Sequence, residues 1–242
     1  MNIIINKDYE AMSEKAADFI AEYIAKKPDT LLCIAGGETP MGIFRYLVKY
    51  ANEGKIDFSS CKFVSLDEWV GLGRETRGSC KETLYNNFFD LIPVKEEQIC
   101  FFDGLADNME NECRKVDKFI SDHGNLDLIV LGIGMNGHIG FNEPNVPLDT
   151  ECHIVGLDPV TKEVSVKYFD TALDVKQGIS LGMKTISRAD TILLIADDFR
   201  KADIVVKTIE GEKTPEVPSS LFQDFPKLWF FLDEAAASKL TK

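Results

Sequence analysis

Five short runs of this chain are apolar at nearly every position: residues 30–35 (TLLCIA), 62–66 (KFVSL), 126–131 (LDLIVL), 191–196 (TILLIA) and 227–233 (KLWFFLD). A strand with one wet face alternates polar and apolar residues. A run without alternation has both faces covered. Between these runs lie longer segments with helical spacing. In residues 8–26, Met12, Ala16, Ile20 and Ile24 recur every fourth position, and Pro28 ends the pattern. Further helices are expected over 41–51, 78–92, 109–121, 198–209 and 234–239. In the second of these, Ser79 is a candidate N-cap with Glu82 three residues on. Residues 2–5 (NIII) read as one more strand. Covered strands separated by helices specify an α/β fold with a mostly parallel sheet flanked by helices, Rossmann-like in class. Neither an internal repeat nor a Gly/Ser/Pro linker interrupts the pattern, so residues 1–242 are expected to form a single domain.

Charge and composition narrow the function classes. The formal net charge is −13, and no Lys/Arg cluster offsets it, so a nucleic-acid partner is not expected. The longest apolar runs are only strand-length, so neither is a membrane partner. The first residues, MNIIINKDYE, lack the basic start and long apolar region of a signal peptide. The cysteines at 33, 61, 80, 100, 113 and 152 form no C-x-x-C and no zinc spacing. A reduced, cytoplasmic protein without a metal is expected.

In parallel sheets, ligands sit beyond the carboxyl ends of the strands, so the residues just after each run carry the information. After TLLCIA comes Gly36-Gly37-Glu38-Thr39-Pro40. A glycine pair lets backbone approach a ligand, and a following helix presents N–H groups to an anion, with Thr39 a possible cap. An ordinary glycine-rich turn is the plain alternative. The loop matches neither nucleotide-binding glycine motif, so a lone phosphate group fits it better, although Glu38 would repel one. After KFVSL comes Asp67-Glu68-Trp69. A carboxylate shielded there would have a raised pKa and suit a general base; a capping Asp is the alternative. After LDLIVL comes GIGMNGHIGFNEP, with Asn136, Gly137, His138 and Glu143 among four glycines. Histidine suits proton transfer near neutral pH, and a nearby carboxylate can set its tautomer. No G-x-S-x-G occurs, which disfavours a serine hydrolase. Lys167, and Arg200-Lys201 after TILLIA, are cations placed where they could neutralise a phosphate.

The segments GGETP, VSLDEWVGL, GIGMNGHIGFNEP, VKYF and RKA, in this order and spacing, resemble the glucosamine-6-phosphate deaminase family over nearly the whole chain. Related 6-phosphogluconolactonases share the fold, but their His motif continues with Thr-Ala-Ser. The DEW, RGSCKETL and ECHIVGLD segments are similar to the galactosamine-6-phosphate branch. The resemblance implies a deaminase/isomerase. It would convert a 2-amino-2-deoxy-hexose 6-phosphate to the ketohexose 6-phosphate plus ammonia, with no cofactor. Asp67 would move the C2 proton to C1, His138 would assist ring opening, and Glu143 would orient His138. The implied catalytic set is Asp67, His138, Glu143 and Asn136. The implied substrate-binding set is Gly36, Gly37, Thr39, Glu68, Gly137, Lys167 and Lys201. Four positions depart from the family pattern. Asn136 stands where some members carry a third carboxylate, Gly36 where a Thr is usual, Glu38 where a small residue is common, and Lys167 where the glucosamine branch has Arg. The chain ends soon after DEAAASKLTK, without the extension linked to allosteric control in longer relatives. A non-allosteric monomer or small homo-oligomer is therefore expected. Alternative expectations are a 6-phosphogluconolactonase-like hydrolase and a non-catalytic sugar-phosphate-binding protein.

Overall fold

The computed structural model describes residues 1–169 and 173–241. In chain order its strands are β1 (Asn2–Asn6), β2 (Leu31–Ile34), β3 (Lys62–Ser65), β4 (Asp67–Trp69), β5 (Ile99–Cys100), β6 (Leu128–Gly132), β7 (His153–Gly156), β8 (Gln177–Ser180), β9 (Thr191–Ala196) and β10 (Leu228–Asp233). The helices are α1 (Tyr9–Lys26), α2 (Met41–Asn52), α3 (Cys80–Asn87), α4 (Met109–Asp122), α5 (Pro159–Ser165), α6 (Met183–Ile186), α7 (Ala202–Ile209) and α8 (Glu234–Ala237). Among the described residues, seven strands form one parallel sheet in the order β1-β10-β9-β6-β2-β3-β5.

The uninterrupted apolar runs are the inner strands, and their side chains alternate between two cores. Leu32 and Ile34 of β2, with Val130 of β6 and Ile195 of β9, pack on Met12, Ala16 and Ile20 of α1 and Phe44 and Leu47 of α2. Leu31 and Cys33, with Ile129 and Leu131, face the other side against Val116 and Ile120 of α4 and Val205 of α7. Asp8 caps α1 by accepting from the Ala11 N–H at 2.8 Å.

Several elements differ from the sequence expectation. The helix expected over 78–92 breaks at Phe88, whose φ is −143°, and resumes as a 3-10 turn at Phe89–Leu91. The one expected over 198–209 begins with a 3-10 turn at Phe199–Lys201, because Asp198 at φ 75° accepts from the Arg200 N–H. Thr39 does not cap α2. Its hydroxyl donates to Asp197 Oδ1 at 2.6 Å, and the Tyr9 hydroxyl accepts the Gly42 N–H instead, at 2.7 Å.

The residues after β3 do more than end a strand. They form β4, which pairs antiparallel with β8, itself antiparallel to β7. Leu66 joins the two sheets: its N–H donates to Ile34 O of the parallel sheet, and its carbonyl accepts from Leu181 N beside β8. Successive side chains in a strand point opposite ways. Asp67 and Glu68, neighbours in sequence, therefore have different surroundings. Glu68 is 1% exposed, and its carboxylate accepts the backbone N–H groups of Trp69 (2.8 Å), Cys80 (3.0 Å) and Lys81 (2.8 Å). Two of these are at the start of α3, where N–H groups lack intrahelical partners. Ser79 completes that cap by accepting from the Glu82 N–H.

Removing Glu68 leaves buried donors without acceptors. Glu68→Ala is expected to lower the unfolding free energy by about 2–4 kcal/mol. Glu68→Gln, which keeps one acceptor oxygen, should cost about half of that. Urea denaturation midpoints at pH 8 measure both, and an unchanged midpoint for Glu68→Ala would show that the cap carries no stability.

Candidate functional site

From β2 the chain builds outward through β3 to β5, then returns to lay β6 on the other side of β2 and continues to β9. The β2/β6 border is therefore a topological switch, where the loops leaving two adjacent strands diverge and open a crevice. The register keeps the strand ends level, with Ile34 opposite Ser65 and Gly132 opposite Ile195. A cavity of about 630 Å³ lies there. Residues following β2, β3, β6 and β9 line it, and α5 with the 3-10 turn Val166–Tyr168 covers one side.

Asp67 lies at the cavity wall, 9% exposed. Burial pushes its carboxyl up to about 6, while the Cys80 thiol, 3.6 Å from Oδ1, and the His138 charge pull it partly back. A carboxylate in that state is ionised at neutral pH yet basic enough to take a proton from carbon. Trp69, two residues on, forms part of the floor with Phe141 at a ring-centroid distance of 4.6 Å.

The loop after β6 folds back on itself. The Gly134 N–H donates to His138 O at 3.0 Å, and Asn136 Oδ1 accepts the His138 N–H at 3.2 Å. The His138 ring lies so close over Gly134 that a Cβ there would come within 2.2 Å of the ring. This contact accounts for one glycine of the motif in steric terms. His138 Nδ1 lies 3.2 Å from Glu143 Oε2 and 3.1 Å from Thr161 Oγ1. Asn136 Nδ2 donates to the same Glu143 oxygen at 3.1 Å, and the Asp158 N–H donates to Oε1. Burial raises the Glu143 carboxyl, but His138, Thr161 and Asn136 outweigh it and hold the group below the usual range. The arrangement fixes Nδ1 as the supported nitrogen and leaves the opposite ring edge toward the cavity.

Gly36, Gly37, Thr39, Lys167 and Lys201 line the same cavity. Lys201 donates to the Ile133 carbonyl. Its ammonium is pushed down to about 8, first by burial and then by the neighbouring Lys167. Such a cation gains from an arriving anion, which repays part of its desolvation. Lys167 is paired with Glu38 at 2.5 Å, so Glu38, the awkward member of the glycine loop, has a cation of its own. Asp197, holding the Thr39 hydroxyl, is raised by burial.

Asp67, His138, Gly36, Gly37, Thr39, Lys167 and Lys201 thus meet in one cavity. Asn136 and Glu143 stand behind His138 rather than on the wall. Glu68 and Gly137 do not line the cavity. Glu68 is taken up by the α3 N–H groups, and the Gly137 carbonyl accepts from Ser219 N at 2.9 Å. Sequence reasoning missed Thr161, Cys80 and Asp197. The Asp158-Pro159 pair, an N-cap followed by a first-turn proline, was the one available signal for α5 and hence for Thr161. Among the described residues, no group of three or more His, Cys, Asp or Glu side chains is placed to hold a metal ion, and no helix is long and apolar enough to cross a membrane.

Residues 7–229 match the family described as glucosamine-6-phosphate isomerases/6-phosphogluconolactonase. The chain is 38% identical to a glucosamine-6-phosphate deaminase of Thermoanaerobacter pseudethanolicus, over 98% of this chain and 94% of the relative. It is 39% identical to one of Clostridium botulinum, over 99% of both. Among solved structures it resembles a monomeric glucosamine-6-phosphate deaminase with a TM-score of 0.95 at 33% identity, covering 98% of this chain and 99% of that one. A 6-phosphogluconolactonase from Trypanosoma cruzi shares the fold at a TM-score of 0.78 and 18% identity, over 100% of this chain and 97% of that one.

The charges on the glycine-loop side set an expected anion response. Sulfate, whose charge is constant across this range, should bind more weakly as pH rises through about 8 and Lys201 loses its proton. Lys201→Ala should weaken binding and flatten that dependence. Glu38→Gln should tighten binding by roughly two- to fivefold, since it removes a competing anion from beside Lys167. Calorimetric titration from pH 6.5 to 9.5 checks all three, and a pH-independent wild type would contradict the placement of the anion beside Lys201.

Proposed function

The chain belongs to the family of glucosamine-6-phosphate isomerases and 6-phosphogluconolactonases, and from that premise we propose an amino-sugar phosphate deaminase/isomerase. Its reaction is a 2-amino-2-deoxy-hexose 6-phosphate plus water giving the ketohexose 6-phosphate plus ammonia. The observation that carries the site assignment is a buried, basic carboxylate, Asp67, sharing one cavity with a carboxylate-backed imidazole, His138.

The steps follow from this geometry. The phosphate is held by Gly36, Gly37, Thr39, Lys167 and Lys201, which line the cavity, and its binding, at the other end of the sugar from C1 and C2, fixes their orientation. His138 takes the O1 proton and delivers one to O5, which opens the ring. Glu143, with Asn136 and Thr161 around it, keeps the imidazole oriented and balances its charge while it carries the extra proton. In the open chain, the C2 proton is acidified by the C1 carbonyl. Asp67 removes it while O1 takes a proton from the C2 ammonium group, giving the neutral enol with the amine still on C2, and Asp67 then delivers its proton to C1. The electron pair then lies in a C2=N bond. Water adds to C2, the C–N bond breaks, and ammonia leaves the C2 ketone.

The shared name of the relatives favours glucosamine 6-phosphate as the substrate. Galactosamine 6-phosphate is the second reading, because Trp69 and Cys80, from two of the three segments similar to that branch, both line the cavity. The lactonase alternative draws on structures 16–18% identical, which share the fold alone. Six free cysteines support a reducing, cytoplasmic setting, and the monomeric deaminase supports a monomer acting on its small-molecule substrate.

Ammonia release from the two epimeric amino-sugar 6-phosphates tests the assignment. At least one should turn over, with kcat/KM falling below about pH 6 as Asp67 takes up a proton. Asp67→Asn should lower kcat by roughly 10²–10⁴-fold. Absence of ammonia from both sugars, or an unaltered kcat in Asp67→Asn, would overturn it.

A further inference from the structure

Among the described residues, the one side-chain hydrogen bond to Asp67 comes from Cys80, whose Sγ lies 3.6 Å from Oδ1. Cys80 is the first residue of α3 and is 7% exposed. Its position is fixed from two sides. Its backbone N–H donates to Glu68 Oε1 at 3.0 Å, and Gly36 of the glycine loop packs directly on it. A Cβ at Gly36 would come within 2.9 Å of Cys80 Cα, so only glycine permits this approach without a shift. Cys80 therefore ties three parts of the site together: the glycine loop, the α3 cap and the proposed base.

Resting on the deaminase/isomerase reading, we propose that Cys80 is a positioning residue for Asp67. Its thiol donates to Oδ1, fixes the rotation of the carboxylate and leaves Oδ2 to face the substrate carbons.

The surroundings keep the thiol a donor. Burial, then the charges of Glu68 and Asp67, hold Cys80 well above the usual thiol range, so it is protonated across the working pH and is no nucleophile. Among the described residues, the other elements around Asp67 make no side-chain hydrogen bond to it. Cys33 on β2 is also raised, first by burial and then by Asp67. Tyr168, after α5, is raised by burial and then by the Glu38 and Asp67 charges. Glu68 is occupied by backbone N–H groups, and His138 acts on Asp67 through its charge. An S–H donor is weak, which suits the role. It orients the carboxylate while lowering its basicity less than a hydroxyl or amide donor would.

The sign of the effect is defined. Removing a donor to the charged form raises the carboxyl further, so the acid limb of kcat/KM moves to higher pH. The test compares pH profiles of kcat/KM for ammonia release in the wild type, Cys80→Ala, Cys80→Val and Cys80→Ser. In Cys80→Ala the acid limb should move up by about half a pH unit, a threefold loss at pH 5.5 with the alkaline limb unchanged. At pH 8, kcat should fall more than KM changes. Cys80→Val fills the volume without a donor and should shift the limb the same way, which keeps the test open if the Ala variant does not fold. Cys80→Ser, a donor again, should return the limb to the wild-type position or below it. Acid limbs of Ala and Val variants that overlay the wild type would overturn this role while leaving the deaminase reading intact. A wild type that releases no ammonia would overturn both.

Discussion

Burial of two adjacent carboxylates where the parallel sheet passes the chain to the antiparallel one shapes everything around it. Taking one carboxylate out of water costs several kcal/mol unless it is paired or hydrogen-bonded. The fold meets that cost differently on the two sides of β4. Glu68 faces the start of α3 and receives three backbone N–H groups, so it acts as a structural cap, although burial outweighs them and its carboxyl is pushed up to about 7. Asp67 lines the cavity and receives one thiol, and burial pushes its carboxyl up to about 6. Both acids are raised by burial, and access separates them: the Glu68 oxygens are occupied by backbone N–H groups, whereas Asp67 stands on the cavity wall.

His138 is built on the opposite logic. Its loop leaves β6 and turns back, and its three supports come from two places: Asn136 and Glu143 within the loop, and Thr161 from α5. Glu143 is held below the usual range, so it remains an anion at every working pH. Burial raises one carboxyl, and hydrogen bonds and the His138 charge hold the other low. Two acids pushed apart by their environments are the arrangement a proton-shuttling site requires. Because α5 also borders the cavity, Thr161 connects the cover of the site to the imidazole inside it.

The sheet was legible because strands covered on both faces cannot alternate; LLCI, LIVLG and TILLIA announce themselves. The antiparallel sheet was not legible. HIVG is half-exposed, QGIS is mostly polar or glycine, and DEW looks like a loop until β8 pairs with it. That omission made Asp67 and Glu68 look like equals in sequence, since their opposite directions follow from a strand that carries no pattern of its own. The glycine loop was legible as a close-approach site, but not the identity of what approaches: the backbone of Gly36 meets Cys80, more than forty residues away. Glu38 looked repulsive to phosphate, and only the fold reveals its pairing with Lys167.

The central claim is that Asp67 carries one proton from C2 to C1 of the substrate. Turnover in deuterated water measures it most directly, with the ketohexose 6-phosphate product analysed by NMR. Solvent deuterium is expected at C1 of the product, since a carboxylate on the cavity wall exchanges its proton with water between abstraction and return, and that label should be lost together with turnover in Asp67→Asn. Ammonia-releasing turnover with neither deuterium at C1 nor transfer of a C2 label to C1 would contradict it.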